Sequence, residues 1–159
     1  MTLYGEHWHV LTFQPSKEPS GLARTDGKRP DGLTLIPWRE GRSATWDVTV
    51  TNTVADSYIQ ADSVTAGAAA EAAAERKAAK YVDLTRELLF IPVAIETFGP
   101  ICFEGQTFIR DIGKRISVIT SDPRETSFLF QRLSIAIQRF NAVGFAGAFT
   151  EPKTETSHT

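Results

Sequence analysis

Arg29-Pro30-Asp31-Gly32 and, after a polar turn, Ala44-Thr45-Trp46-Asp47-Val48-Thr49-Val50-Thr51 are the two segments on which the reading of this chain depends. The second is a β-branched run with one carboxylate in its middle. Burying an unpaired carboxylate in such a run is costly, so something must offset it, and a bound cation is the obvious candidate. Residues 33–38 and 44–51 flank the turn Arg39-Glu40-Gly41-Arg42-Ser43 and read as a hairpin. Arg39 is midway between Asp31 and Asp47, so a hairpin folded there brings the two aspartates across from one another. Along the second arm Trp46, Val48 and Val50 share one face, and Asp47, Thr49 and Thr51 share the other.

Outward from this pair, the chain reads as scaffold. Its 159 residues, 42% hydrophobic, suit one domain with a real core. A net charge of −2 gives no global attraction to nucleic acid, but basic residues bunch at 24–29 and 76–80. One cysteine, Cys102, excludes an internal disulfide and a CxxC zinc pattern. Without a membrane-length apolar stretch or a signal-peptide pattern, the expected setting is intracellular, nucleus or cytoplasm, with no membrane partner.

Before the hairpin, residues 7–13 form a short β-prone run in which His7 and His9 share a face but lack a third metal ligand. Residues 15–32 are rich in Pro and Gly, and Arg24, Lys28 and Arg29 make them basic. They read either as a solvated loop or as a phosphate-contacting approach to Asp31. After the hairpin, residues 56–89 look helical, with an alanine-rich centre at 66–79 that can lie close to a sheet. Lys77, Tyr81, Leu84 and Leu88 form one stripe; Arg76, Lys80, Asp83 and Glu87 form a charged stripe beside it. Residues 88–97 read as a strand whose Pro92 marks an edge or bulge. Residues 106–120 have helical spacing, and a last helix should start at Asp122-Pro123-Arg124-Glu125 and run to near Val143. Residues 1–17 are expected to be a variable segment, 18–150 one domain, and 151–159 a disordered tail.

Two aspartates on a hairpin with a lysine facing them from the next helix form a divalent-metal nuclease arrangement. Hard oxygen ligands hold Mg²⁺, which keeps waters and can take a phosphate oxygen. Plainer readings exist: Asp31 as a turn residue, Asp47 facing solvent, Lys77 snorkelling from the helix edge.

Arg29-Pro30-Asp31-Gly32, Trp46-Asp47-Val48-Thr49-Val50, Arg76-Lys77-x-x-Lys80-Tyr81, Ile91-Pro92-Val93-Ala94-Ile95-Glu96 and Gly99-Pro100 together resemble the restriction-enzyme-like endonuclease domain of non-long-terminal-repeat retrotransposons. That domain belongs to the PD-(D/E)XK superfamily. The stretch from about 18 to 149 also resembles reverse-transcriptase-associated proteins. The resemblance implies an α/β fold with a mixed sheet flanked by helices. It implies Asp31 and Asp47 as ligands of Mg²⁺ or Mn²⁺, with the Val48 carbonyl as a third. It implies DNA as substrate, with RNA as the alternative, and a reverse transcriptase as partner in the parent element. Arg24, Lys28, Arg29, Arg76, Lys80 and Tyr81 are then the nucleic-acid contacts. The chain departs from the pattern at Thr49, where many members carry the catalytic lysine, and at its start, which lacks the usual opening helix. Lysine must therefore come from the helix, Lys77 first and Lys80 in reserve. The alternative is a catalytically inactive module of the same fold that binds nucleic acid or protein.

Overall fold

The structure is a computed structural model that describes residues 16–17, 29–52, 65–82 and 87–148. The expectations for residues 7–13 and the rest of the N-terminal segment, for 56–64, for Leu84 and for the tail 151–159 lie outside these residues.

The framework is an α/β domain around a mixed sheet. Strand β1 is Ser16–Lys17, β2 is Gly32–Leu33, β3 is Ala44–Thr51 and β4 is Leu89–Glu96; their spatial order is β1-β2-β3-β4. β1 and β2 are antiparallel, as are β2 and β3, while β3 and β4 run parallel from Ala44↔Leu89 to Thr51↔Glu96. A parallel pair requires a crossover, and helix α1, Ala68–Lys80, supplies it. Helices α2, Phe103–Thr120, and α3, Glu125–Ala148, follow.

The hairpin forms in the expected register. Gly32 pairs with Trp46 and Leu33 with Thr45, a register whose midpoint is Arg39. The tight turn itself sits at Glu40 and Gly41, both left-handed with φ 53° and 72°, closed by the Arg42 N–H donating to the Arg39 carbonyl at 2.9 Å. Two successive positive φ values match the twist of a hairpin. The first arm is shorter than the expected 33–38, because Thr34 bends it. Its hydroxyl donates to the Ile36 carbonyl at 2.8 Å and accepts the Ala44 N–H at 2.9 Å.

The two faces of the sheet are packed differently. Thr45, Asp47 and Thr49 of β3 and Pro92, Ala94 and Glu96 of β4 face α1, whose buried Ala69, Ala70, Ala73 and Ala74 let it approach closely. The opposite face carries the aromatic core: Trp38, Ile91, Val93, Ile95 and Phe108, with Trp46 packed against them. The Phe108 ring lies 5.2 Å from Trp38 and 5.5 Å from Trp46. Arg115 clips the hairpin to α2, donating to the Trp38 carbonyl at 2.7 Å and lying 3.9 Å over its ring.

Pro92 sits in β4, an edge strand among the described residues, as an edge proline should. The outward backbone of β4 is taken up by the chain that follows it. The Ala94 carbonyl accepts the Cys102 N–H at 2.9 Å, the Ala94 N–H donates to Cys102 Sγ at 3.3 Å, and the Glu96 N–H donates to the Pro100 carbonyl at 2.8 Å. Asp122 starts α3 as the sequence indicates, its carboxylate accepting the Arg124 N–H at 2.9 Å. That helix runs past the expected end at Val143 to Ala148.

Candidate active site

Asp31 leads into β2 from the fully buried Pro30. Its backbone N–H donates to the Trp46 carbonyl at 2.9 Å, and its carboxylate accepts the Val48 N–H at 2.6 Å. It therefore brackets Asp47 from the neighbouring strand. This close pairing needs Gly32, because an added Cβ there would clash with the Trp46 ring.

Asp47 rises from β3 toward α1 with only 7% of its side chain exposed. Lys77 reaches it from α1, its ammonium donating to the Asp47 carboxylate. Lys77 continues the buried line of Ala70, Ala73 and Ala74 along the helix, and this places a cation over the sheet. Burial pushes the Asp47 carboxyl above the ordinary range. The Lys77 ammonium opposes that shift without cancelling it, and the neighbouring Asp31 carboxylate adds to it.

The three residues named for chemistry thus meet from three different elements. The fourth group also points the right way. Backbone N–H and C=O of one strand residue leave on the same side, and the Val48 N–H faces Asp31, so its carbonyl does too. Among the described residues no three His, Cys, Asp or Glu side chains gather at one point. A metal held here would rest on two carboxylates, one carbonyl and waters. Mg²⁺ accepts that set, since it keeps several waters and needs only one or two carboxylates.

Arg76 and Lys80 are exposed on α1 and line a cleft beside Lys77. Lys77, rather than Lys80, makes the contact to Asp47. Arg29 is exposed just before Pro30, and Arg24 and Lys28 lie outside the described residues. The assignment of Tyr81 to nucleic-acid contact is corrected: it is 3% exposed and its ring stacks on Phe90 at 4.6 Å, so it anchors the end of α1 to the sheet. Thr49 and Asn52, which line the cleft opposite α1, were not among the sequence candidates. The signal for Thr49 was its place on the Asp47 face of the strand; nothing in the sequence marked Asn52.

No protein-family model matches the chain, and neither the curated proteins nor the solved structures contain a significant match.

Proposed function

We propose that this chain is a Mg²⁺-dependent endonuclease domain of the restriction-enzyme-like PD-(D/E)XK type, derived from a retroelement, that hydrolyses phosphodiester bonds in DNA. The observation that carries this reading is the convergence of Asp31, just before β2, Asp47 of β3 and Lys77 of α1. Asp31 and Asp47 with the Val48 carbonyl would hold the metal. Bound Mg²⁺ would supply Lewis-acid polarisation of the scissile phosphate and acidify a water. The chain's own groups supply the rest. Lys77 places a fixed cation beside Asp47, where it offsets negative charge that grows on the phosphate oxygens during attack. The Val48 N–H fixes the Asp31 carboxylate in one rotamer, so no reorganisation is needed there as the reaction proceeds. Arg76 and Lys80, which line the adjacent cleft, would hold the flanking backbone. In a retroelement such a domain nicks target DNA to prime reverse transcription.

The purified protein with Mg²⁺ or Mn²⁺ should nick supercoiled plasmid, and Asp47→Ala should reduce nicking by at least a hundredfold, on the order of what loss of one transition-state group costs. Equal nicking by the variant would discard the assignment. Thr49, in the place where the superfamily usually has lysine, favours a second reading, a nuclease-fold binding module without activity. Nucleic-acid binding with intact plasmid at every metal concentration would select it.

A further inference from the structure

Beside the aspartates, β3 and α1 diverge to leave a cleft of about 330 Å³, at the small end of ligand sites and of a size for one nucleotide unit. One wall is Thr49 and Asn52 with the strand between them; the other is Arg76, Lys77 and Lys80, with Ala73 at the base. No carboxylate is among its described lining residues. Lys77 is neutralised by Asp47, whereas Lys80 makes no ion pair and Thr49 no side-chain hydrogen bond among the described residues. A hydroxyl and an ammonium on opposite walls of a cationic cleft are a donor set for a phosphate, and the positive charge of that cleft disfavours a cation.

The spacing relates this cleft to the carboxylates. Thr49 is two residues past Asp47 on the same face, about 6.7 Å along the strand. Successive phosphates of one nucleic-acid strand are about that far apart. We propose that Thr49, Arg76 and Lys80 form a phosphate subsite for the group next to the one held at Asp31 and Asp47, so that β3 and α1 grip one strand along the direction of β3. In this assignment Thr49, at the usual lysine position, is a phosphate ligand. The role of the cleft as the subsite next to a reacting phosphate rests on the nuclease reading; its phosphate-binding property does not.

The test is binding without metal, in EDTA, of fluorescein-labelled single-stranded and duplex oligonucleotides over a range of salt, with inorganic phosphate as competitor at matched ionic strength. Lys80→Gln should weaken binding severalfold and lower the salt slope by about 0.9 for duplex or about 0.7 for single strand. Thr49→Val should weaken binding with the slope unchanged, because a neutral hydroxyl releases no counterion. Unchanged affinity in both variants would overturn the subsite. Displacement by inorganic phosphate, with the oligonucleotide bound no more tightly than phosphate itself, would overturn the nucleic-acid assignment and give the cleft to a free phosphate compound. The two readings fail separately. Intact plasmid with both variants weakened removes the nuclease and keeps the subsite; nicking with both variants unaltered does the reverse.

Discussion

Asp47 is the residue at which stability and the proposed chemistry oppose each other. Its carboxyl is raised by burial, with Asp31 adding to the shift against the pull of Lys77. A raised folded-state pKa means the folded protein binds the proton more tightly than the unfolded chain. The associated stability is fully present below the ordinary aspartate range and is lost as pH rises through the raised value. At neutral pH the ionised carboxylate is therefore a net cost of folding. Asp47→Asn should melt above wild type at pH 7, by about 2–4 °C for each kcal/mol recovered. The difference should close as pH falls toward 4, where wild type takes up the proton itself. Differential scanning fluorimetry across pH measures this, and a variant that melts lower at pH 7 would mean that the Lys77 contact outweighs burial. Metal binding needs the deprotonated carboxylate, so Mg²⁺ should raise the melting temperature of wild type more strongly at higher pH and leave Asp47→Asn unmoved.

Among the elements, the β2–β3 hairpin sets the geometry of the site. Gly32 against the Trp46 ring is its tightest point, since a side chain there displaces either the ring or the strand. Gly32→Ala should cost about 1–3 kcal/mol in urea unfolding, the range for overpacking, and should abolish nicking in protein that still folds, because Asp31 moves with β2. A variant with wild-type stability and nicking would show that Trp46 yields without moving the strand. Much of this element was legible in the sequence. The Arg39 midpoint, the β-branched second arm and the polar, Gly-containing turn over residues 39–43 are local signals, and local signals survive tertiary packing. The alanine face of α1, the Asp122 start of α3 and the edge proline were read for the same reason. The bend at Thr34 was not legible, because a side-chain hydroxyl replaces a ladder bond there and propensity does not encode that exchange. Tyr81 misled because an aromatic beside lysines suits a base stack equally well until Phe90 is placed under it. Face alternation was read correctly, but periodicity cannot say which face is covered. Trp46 packs against Phe108 while Val48 and Val50 on the same side are 43% and 56% exposed.

At the scale of the whole molecule, buried polar groups tie the layers together. The Glu96 carboxylate, 2% exposed, accepts the Ala70 N–H at 3.2 Å and so secures the first turn of α1 to β4. The Glu71 carboxylate on α1 accepts the Phe103 N–H at 2.8 Å at the start of α2. Cys102 belongs to the same set of contacts: it is fully buried, accepts the Ala94 and Gly105 N–H groups, and donates to the Pro92 carbonyl at 3.4 Å. Burial pushes its thiol up, so little thiolate forms near neutrality. Folded protein should resist iodoacetamide at pH 8 and label fully in urea, as read by intact mass; native labelling at the rate of a free thiol would show that the segment around residues 99–102 opens readily. That segment has a consequence for how copies of the chain meet one another. An exposed strand edge is a template on which a second molecule can add its own strand, the first step toward fibrillar aggregates. Here the outer rim of β4 has one position with no donor, at Pro92, and its next donors and acceptors are consumed by Pro100 and Cys102. Recruitment of a foreign strand at this rim must first peel away the chain's own backbone, so the fold carries its protection against edge-to-edge polymerisation in the residues that lead into α2.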